Sequence, residues 1–395
     1  MNQLFGRLAR EGHEVTVVTT FPHYEGFRTW KEYRGKLMQR DRRGDVEVLR
    51  VYSFTSGNKS MVHRLINYVT FNVVATLVVL ALRLRFDLVF ATNGSFFSGV
   101  SGRLLAWSRR VPLVLNLQDL YPDVPISQGQ LTNPWAIAAL RLVERWMYRR
   151  ADHLTVITPS FSRRLATHGI PERAISVVPN FVDVDFVRPL PRDNDFSRAN
   201  ELDGRFVVSH AGNIGYVYDL EALIESAAIL EEQTDLLILI VGEGVAKERL
   251  QQLAKRRGVG NVRFMPFVPT ADLPWLRASS DVQVSLYKSG AADYSMPSKI
   301  YEIMASGRPV LASADRDTDI RDLVERTGCG MCVDPGDSGA LADALGRLRA
   351  DPQLRAEMGA RGRAAATELY SAPAVTAKYK ALFADVVSAA SSRGG

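Results

Sequence analysis

The sequence predicts an α/β protein of two doubly wound domains, and three observations carry that expectation. Short runs rich in Val, Ile and Leu alternate with longer helical patterns along the whole chain. A Pro-rich, charged segment, Arg188-Pro-Leu-Pro-Arg-Asp-Asn-Asp195, interrupts the alternation near its middle. The charge balance reverses across that segment: residues 1–190 hold 25 Lys+Arg against 15 Asp+Glu, and residues 191–395 hold 24 against 28. A length of 395 residues with 46% apolar content supports two cores of ordinary size. With 23% charged and 9% aromatic residues, wholesale disorder and a collagen-like repeat are excluded. Two cysteines suit a reducing compartment and exclude a disulfide scaffold.

In the first half, strands are expected over 15–20, 46–52, 87–91, 113–117 and 153–158, with a helix from about 134 to 150. The second half starts afresh, with strands over 206–210, 236–241, 262–264, 282–286 and 309–311 and helices between them. Asp219 is placed to cap one of these helices, because Leu220, Leu223, Ile224 and Ala227 form one apolar stripe behind it. Repeated strand–helix units imply parallel sheets facing each other across a cleft. Ligands bind at the carboxyl ends of such strands, so the post-strand loops are where function is sought.

Residues 65–82 form an apolar run flanked by Arg64, Arg83 and Arg85. Asn67, Tyr68, Thr70, Asn72 and Thr76 lie inside it and argue against a membrane-spanning helix. Two readings remain, a buried helix and one that dips into a membrane surface. The basic first half, with clusters such as Trp146-Met-Tyr-Arg149-Arg150, suits an anionic partner as well as it suits a plain solvated face. No secretory signal is legible in residues 1–10.

Three loops bear on ligand binding. Ala211-Gly-Asn-Ile-Gly215 follows the strand 206–210, and Gly242-Glu-Gly244 follows the strand 236–241. Glycines there let an anion approach backbone N–H groups, although tight strand–helix turns use Gly for purely structural reasons too. The third, Asp293-Tyr-Ser-Met-Pro-Ser-Lys299, runs straight into Ile300-Tyr-Glu302, with Pro297 or Ser298 at the helix start. Lys299 is one of only 9 Lys among 49 basic residues, so its position is not compositional background. Glu302 lies one turn on, where its carboxylate is able to accept two sugar hydroxyls or to form an ordinary helix pair with Lys299.

The stretch Met296-Pro-Ser-Lys-Ile-Tyr-Glu-Ile-Met-Ala-Ser-Gly-Arg-Pro-Val-Leu-Ala resembles the signature of family-4 glycosyltransferases. So do Gly12-His-Glu-Val-Thr-Val-Val-Thr-Thr-Phe-Pro22, Val178-Pro-Asn-Phe-Val-Asp183, Gly212-Asn-Ile-Gly215 and Val241-Gly-Glu-Gly244, in order and spacing over essentially the whole chain. Asp119-Leu-Tyr-Pro-Asp123 and Thr20-Phe-Pro-His-Tyr24 are similar to the bacterial surface-polysaccharide members, of the colanic-acid and O-antigen fucosyl- or N-acetylfucosaminyltransferase type.

The resemblance implies a GT-B fold, two Rossmann-like doubly wound domains. Residues 1–190 would bind the acceptor, 191–370 the donor, and 371–395 would form a helix crossing back to the first domain, followed by a tail. It implies a retaining, metal-independent transfer of a sugar from a nucleoside-diphosphate donor, a UDP-sugar for preference, to a lipid-linked or glycan acceptor. By the same resemblance Gly212, Asn213, Gly215, Gly242, Glu243 and Ser298 line the donor, together with Tyr294, Ser295, Met296 and Pro297. Lys299 holds the diphosphate, Glu302 the ribose hydroxyls, and Pro266, Phe267 and Val268 the base; Asp119 serves the reacting centre. No resident cofactor and no nucleic acid are implied. The expected place is the cytoplasm, peripheral at the inner face of the plasma membrane through the basic first domain and the 65–82 helix.

Three departures from the family pattern are legible. The first of two glutamates eight positions apart is replaced by Tyr294. Tyr216-Val-Tyr-Asp219 follows Gly215 where basic residues are usual, with Arg316 as one substitute. The chain begins inside the helix that precedes Gly12-His-Glu-Val, so the family's first strand is expected upstream of Met1. Two other readings stay open: a nucleotide-binding homologue without turnover, and a sugar-nucleotide epimerase, which would need acid/base carboxylates and His residues converging on the sugar. His210 is a modest site candidate beside the glycine loop. Asp183-Val-Asp185, the alternating Asp315, Asp317 and Asp319, and the lone Cys329-Gly-Met-Cys332 are set aside as metal or redox motifs.

Overall fold

In the computed structural model the described residues are 1–23, 28–57, 61–123, 126, 129, 131–291 and 298–394. They divide into two units, Met1–Pro179 with Val375–Gly395, and Asn180–Ala374.

The first unit opens on the helix Asn2–Arg10, which buries Leu4 and Leu8. Strands β1 (Thr16–Thr20), β2 (Met38–Arg43) and β3 (Val46–Val51) form a sheet in the order β1-β3-β2, with β1 parallel and β2 antiparallel to β3. The antiparallel β2 corrects the expectation of parallel strands alone. Its sequence, MQRDRR, has no apolar face, and Gly44 at φ 58° turns the chain back into β3. A second sheet runs β4 (Val89–Thr92), β5 (Leu113–Leu117), β6 (His153–Val156) and β7 (Ile175–Val177), all parallel. The three-residue β7 is too short to carry a sequence pattern. The predicted strand 153–158 ends at Val156, because Thr158 turns to cap the helix Pro159–Thr167.

The helix Ser98–Arg109 lies directly on the second sheet. A Cβ at Gly102 would come within 3.0 Å of Leu113, and one at Gly99 within 2.8 Å of Met147 on the helix Pro134–Arg150. Tyr379, buried on the helix Ala372–Gly394, accepts a hydrogen bond from Asn116 Nδ2 at 2.9 Å and meets Phe90 edge-on.

The helix Met61–Ala81 turns a mixed face to the unit: Ala75 and Val79 pack with Leu49 and Val51, and polar side chains bond beside them. Asn67 Nδ2 donates to Phe54 O at 2.6 Å, Asn72 Nδ2 to Ser95 Oγ at 2.7 Å, and Thr70 Oγ1 accepts from Phe54 N at 2.9 Å. These polar residues face the body of the unit, while Val62, Leu65, Ile66, Val69, Val73, Leu77 and Leu80 are exposed. The helix is thus buried on one face and exposed on the other. By length and composition this is the one helix, among the described residues, able to cross a membrane.

The second unit holds one parallel sheet in the order β10-β9-β8-β11-β12-β13. The strands are β8 (Phe206–Ala211), β9 (Leu236–Val241), β10 (Val262–Met265), β11 (Val282–Leu286), β12 (Val310–Ser313) and β13 (Gly330–Val333). Numbered within the unit this is 3-2-1-4-5-6, the doubly wound order whose reversal falls between β8 and β11. Helices on one face pack Leu223, Ile224, Leu250 and Leu345 onto Val208, Ile238, Ile240 and Val284. On the other face Leu276 and Leu202 cover Val207, Leu237 and Leu239. Asp219 sits at the N-cap position of the helix Leu220–Ile229 but makes no side-chain cap there. Its Oδ2 accepts instead from Gly336 N at 2.7 Å, tying two loops together.

Candidate functional site

At the reversal point, the loops after β8 and β9 are built into one another. Gly212 N donates to Val241 O at 2.8 Å and Ile214 N to Glu243 O at 2.9 Å; Ala246 N returns to Ile214 O at 3.0 Å. Gly242 and Gly244 have φ of 146° and 157°, and a Cβ on either would strike the carbonyl oxygen of Gly212 or Ile214. Their lack of side chains is therefore required by backbone packing alone. Gly212, at φ 139°, has a different neighbour: a Cβ there would fall on Nζ and Cε of Lys299. Only glycine lets that side chain lie across the end of β8.

Lys299 begins the helix Lys299–Ala305, with Ser298 at its N-cap. Its ammonium lies 4.6 Å from the Tyr218 ring centroid and 3.5 Å from the Tyr218 hydroxyl. Among the described residues no carboxylate pairs with it. Burial, and then the Arg277 charge, lower its pKa to about 8, with Glu302 opposing. Tyr218 is itself held between His210 and Tyr287, with centroids 5.4 and 5.1 Å away. His210 is buried, donates Nε2–H to Asn213 O at 3.3 Å, and has no described partner on Nδ1. Burial and the nearby Lys299 charge push its pKa down to about 3, so it stays neutral.

Glu302 forms its ion pair with Arg277, not with Lys299. Arg277 stands on the helix Leu273–Ala278, is 4% exposed, and also donates to Gln283 Oε1 at 2.7 Å. Sequence reasoning missed Arg277, although a lone Arg among the buried Pro274, Leu276 and Ala278 was the available signal. Glu243 is paired with Lys247 at 2.6 Å. The loop Pro266-Phe267-Val268 follows β10, and the exposed Phe267 ring passes 3.5 Å from the Cβ position of Gly242. Asn213 is exposed beside Gly215, its Nδ2 3.0 Å from where a Gly215 Cβ would be. Tyr294, Ser295, Met296 and Pro297, with Asp293, lie outside the described residues. Arg316 is exposed and reaches Asp334 at 3.5 Å.

In the first unit, Asp119 follows β5. Asn93 Nδ2 donates to its backbone oxygen at 2.5 Å, and Asn93 Oδ1 accepts from Gln118 N at 2.8 Å. Burial raises the pKa of its carboxyl group. Tyr121 is pushed up to about 12 by burial, with Tyr68 and the Asp119 charge adding to it and Arg64 opposing. The Asp119 charge thus acts on Tyr121, and Tyr68, which sequence reasoning did not connect with this loop, interacts with Tyr121. Asp123 is buried between Arg141 at 3.0 Å and Arg164 at 2.9 Å.

Among the described residues no three His, Cys, Asp or Glu side chains gather to hold a metal ion. Asp183 Oδ1 caps the backbone of Asp185 and Phe186, and Asp315 accepts from Ser289 and Gly290. Burial raises both cysteine thiols, Cys332 to about 12, so neither is an active thiolate.

Solved structures share this fold. Sucrose-phosphate synthase from Thermosynechococcus elongatus superposes with a TM-score of 0.75 at 18% identity, over 98% of this chain and 92% of its own. HepE of Anabaena, solved in complex with UDP-glucose, gives 0.65 at 20% identity, over 80% and 82%. The molecule is thus a GT-B protein of two Rossmann-like domains. Residues 1–180 match the Glycosyl transferase 4-like domain and residues 191–365 the Glycosyl transferases group 1 domain, which together span most of the chain. The chain belongs to the family-4/group 1 glycosyltransferases. A curated relative from Escherichia coli K12, the putative colanic acid biosynthesis glycosyl transferase WcaI, is 29% identical over 85% of this chain and 84% of its own length.

Proposed function

We propose that the protein transfers a sugar, with retention, from a nucleoside-diphosphate donor to a lipid-linked or glycan acceptor in bacterial surface-polysaccharide synthesis. The observation that carries this reading is Lys299: a desolvated ammonium without a carboxylate partner among the described residues, laid over Gly212 at the reversal point of a parallel sheet. Such a charge is oriented by the fold before any ligand arrives, and an anion approaching Gly212, Asn213, Gly215 and Ser298 meets it directly. In this reading Glu302 accepts the ribose hydroxyls, and Pro266, Phe267 and Val268 border the base. Tyr294, Ser295, Met296 and Pro297 complete the donor contacts. A UDP-sugar is the donor of choice, consistent with the UDP-glucose complex of the Anabaena neighbour.

The acceptor is assigned to the first unit, with Asp119 toward its hydroxyl. Retention then needs no protein nucleophile, because the leaving diphosphate oxygen is able to take the acceptor proton on the face it departs from. The chain's contribution is positioning and stabilisation of the charge that develops on that oxygen. A fucosyl-type donor and a colanic-acid-like product extend the likeness to the Escherichia coli relative. The test is incubation with a panel of UDP-, GDP- and dTDP-sugars plus membrane lipid extract, scored for free nucleoside diphosphate and for labelled lipid. Release and transfer from one donor support the reading. Silence across the panel from a protein that still binds nucleotide contradicts it and favours the non-catalytic alternative.

The same reading places the protein at the inner face of the plasma membrane. Three helices of the first unit, Met61–Ala81, Ser98–Arg109 and Pro134–Arg150, carry exposed apolar residues that include Val69, Leu77, Leu104, Trp107, Trp135 and Leu142. Their one acidic residue is the buried Glu144, whereas Arg64, Arg103, Arg145, Arg149 and Arg150 are basic. An apolar surface bordered by arginines, of which Arg103 is paired with Asp152, matches an anionic bilayer in both polarity and charge.

A further inference from the structure

We propose that Arg277 is a positioning residue for donor binding: it holds the Glu302 carboxylate in place and, by occupying it, leaves Lys299 free for the donor's phosphates. This rests on the reading of Lys299 and Glu302 as donor contacts.

The spacing of Lys299 and Glu302 on one helix is the spacing at which Lys and Glu ordinarily pair. Were they to pair, the lysine charge would be cancelled before any ligand bound. The structure diverts Glu302 instead. Its Oε2 accepts from Arg277 Nη2, while the side chain stays 38% exposed and open to hydroxyl groups. Arg277 is not free to drift. Its Nη1 donates to Gln283 Oε1 at 2.7 Å, Gln283 Nε2 donates to Ser306 Oγ at 3.0 Å, and Ser306 Oγ donates to Ile303 O at 2.7 Å. Ile303 neighbours Glu302 on the same helix, so the chain of bonds closes on itself. A planar guanidinium, with donors fixed in a fork, bridges Gln283 and Glu302 as an ammonium would not.

Two further observations point the same way. The buried Nε of Arg277 has no described partner, a cost that an apolar residue at this position would not carry. The formal charges of Arg277, Glu302 and Lys299 sum to +1, and the surplus sits on Lys299, beside the neutral His210 and Tyr218. An anionic ligand thus meets a cation that no described carboxylate pairs with, at a place where the fold leaves room only because residue 212 is glycine.

The test is calorimetric titration of UDP, with GDP in parallel, into the full chain from pH 6.5 to 9.5. The proteins are wild type, Arg277→Met, Glu302→Gln and the double variant, each checked for folding by thermal melting. Arg277→Met is expected to weaken the preferred nucleotide about tenfold or more. It should also move the alkaline loss of affinity to higher pH, because the released Glu302 now pairs with Lys299. The double variant should bind as Glu302→Gln does and lose the pH shift, since Arg277 acts through Glu302. A merely structural role would give additive losses and an unmoved pH limb. Wild-type affinity and pH profile in Arg277→Met, or strict additivity, overturns the proposal. If Arg277→Met does not fold, Arg277→Lys keeps the charge but not the fork. It is expected to weaken binding about threefold with the same direction of pH shift, and wild-type behaviour there overturns the proposal. If wild type binds neither nucleotide, the donor-site reading itself fails, and this inference fails with it.

Discussion

The two units use glycine and charge in opposite ways. In the second, glycines after β8 and β9 bring backbone onto backbone, and Gly212 makes room for a half-buried cation with which no carboxylate pairs among the described residues. In the first, Gly99 and Gly102 let one helix lie close on the sheet, and Leu104 and Trp107 of that helix are exposed. The second unit is organised around an inward site that is rigid before ligand arrives. The first carries an outward row of aliphatic side chains on the helix Met61–Ala81, whose other face packs Ala75 and Val79 with Leu49 and Val51.

Gly242→Ala attacks the rigid side of this contrast most directly. The added methyl strikes the Gly212 carbonyl at a φ of 146°, so a destabilisation on the order of 3 kcal/mol or more is expected by denaturant unfolding. Gly258→Ala, a helix C-cap with φ 73° and nothing within 4 Å, should cost only about 1 kcal/mol. Equal costs at the two positions would show that the interlocked loops are not what demands glycine.

The buried titratable groups separate the units by pH. Glu144 in the first unit is 3% exposed, and burial raises its pKa to about 7. The unfolded state ionises near 4.5, so stability of this unit falls as pH rises from 4.5 to 7, and the cost is complete above 7. Glu144→Gln should therefore stabilise by about 3 kcal/mol at pH 8 and hardly at all at pH 4. His210 in the second unit works in the other direction. Its pKa is lowered from 6.5 to about 3, so stability is lost as pH falls through that window, and thermal melts should show the decline below pH 6.5. His210→Asn should flatten that decline. A melt in which both substitutions act on the same pH limb would contradict the assignment.

The outward face is tested by Val69→Glu with Leu77→Glu, both exposed, in co-sedimentation with vesicles of anionic and of zwitterionic lipid. Wild type is expected to bind the anionic vesicles. The variant should lose about tenfold for each buried aliphatic group removed, without change in melting temperature. Equal binding of wild type and variant would remove the membrane reading. It would leave the donor site untouched.

What was legible in the sequence follows from what each pattern depends on. The alternation that locates β8, β9 and β11 is local, and so is the Lys299–Glu302 spacing on one helix. Strand β2 escaped because its register is set by pairing with β3 and not by an apolar face of its own. Asp219 was expected to cap its own helix, yet Gly336, remote in sequence, offers the better donor. Arg277 meets Glu302 from 25 positions away, across β11, so no local spacing reports it. Hydropathy found the helix Met61–Ala81 but was blind to its orientation, which Asn67, Thr70 and Asn72 decide through long-range hydrogen bonds.

The most direct test of the central claim is the affinity of UDP and GDP for wild type and Lys299→Met at pH 7 and pH 9. The account predicts that wild type binds one nucleotide, more weakly at pH 9 because Lys299 deprotonates near 8. Lys299→Met should lose roughly a hundredfold at pH 7, the worth of one charge-assisted phosphate contact, and show no further loss at pH 9. Undiminished binding in Lys299→Met, or the same pH dependence with and without Lys299, would contradict it.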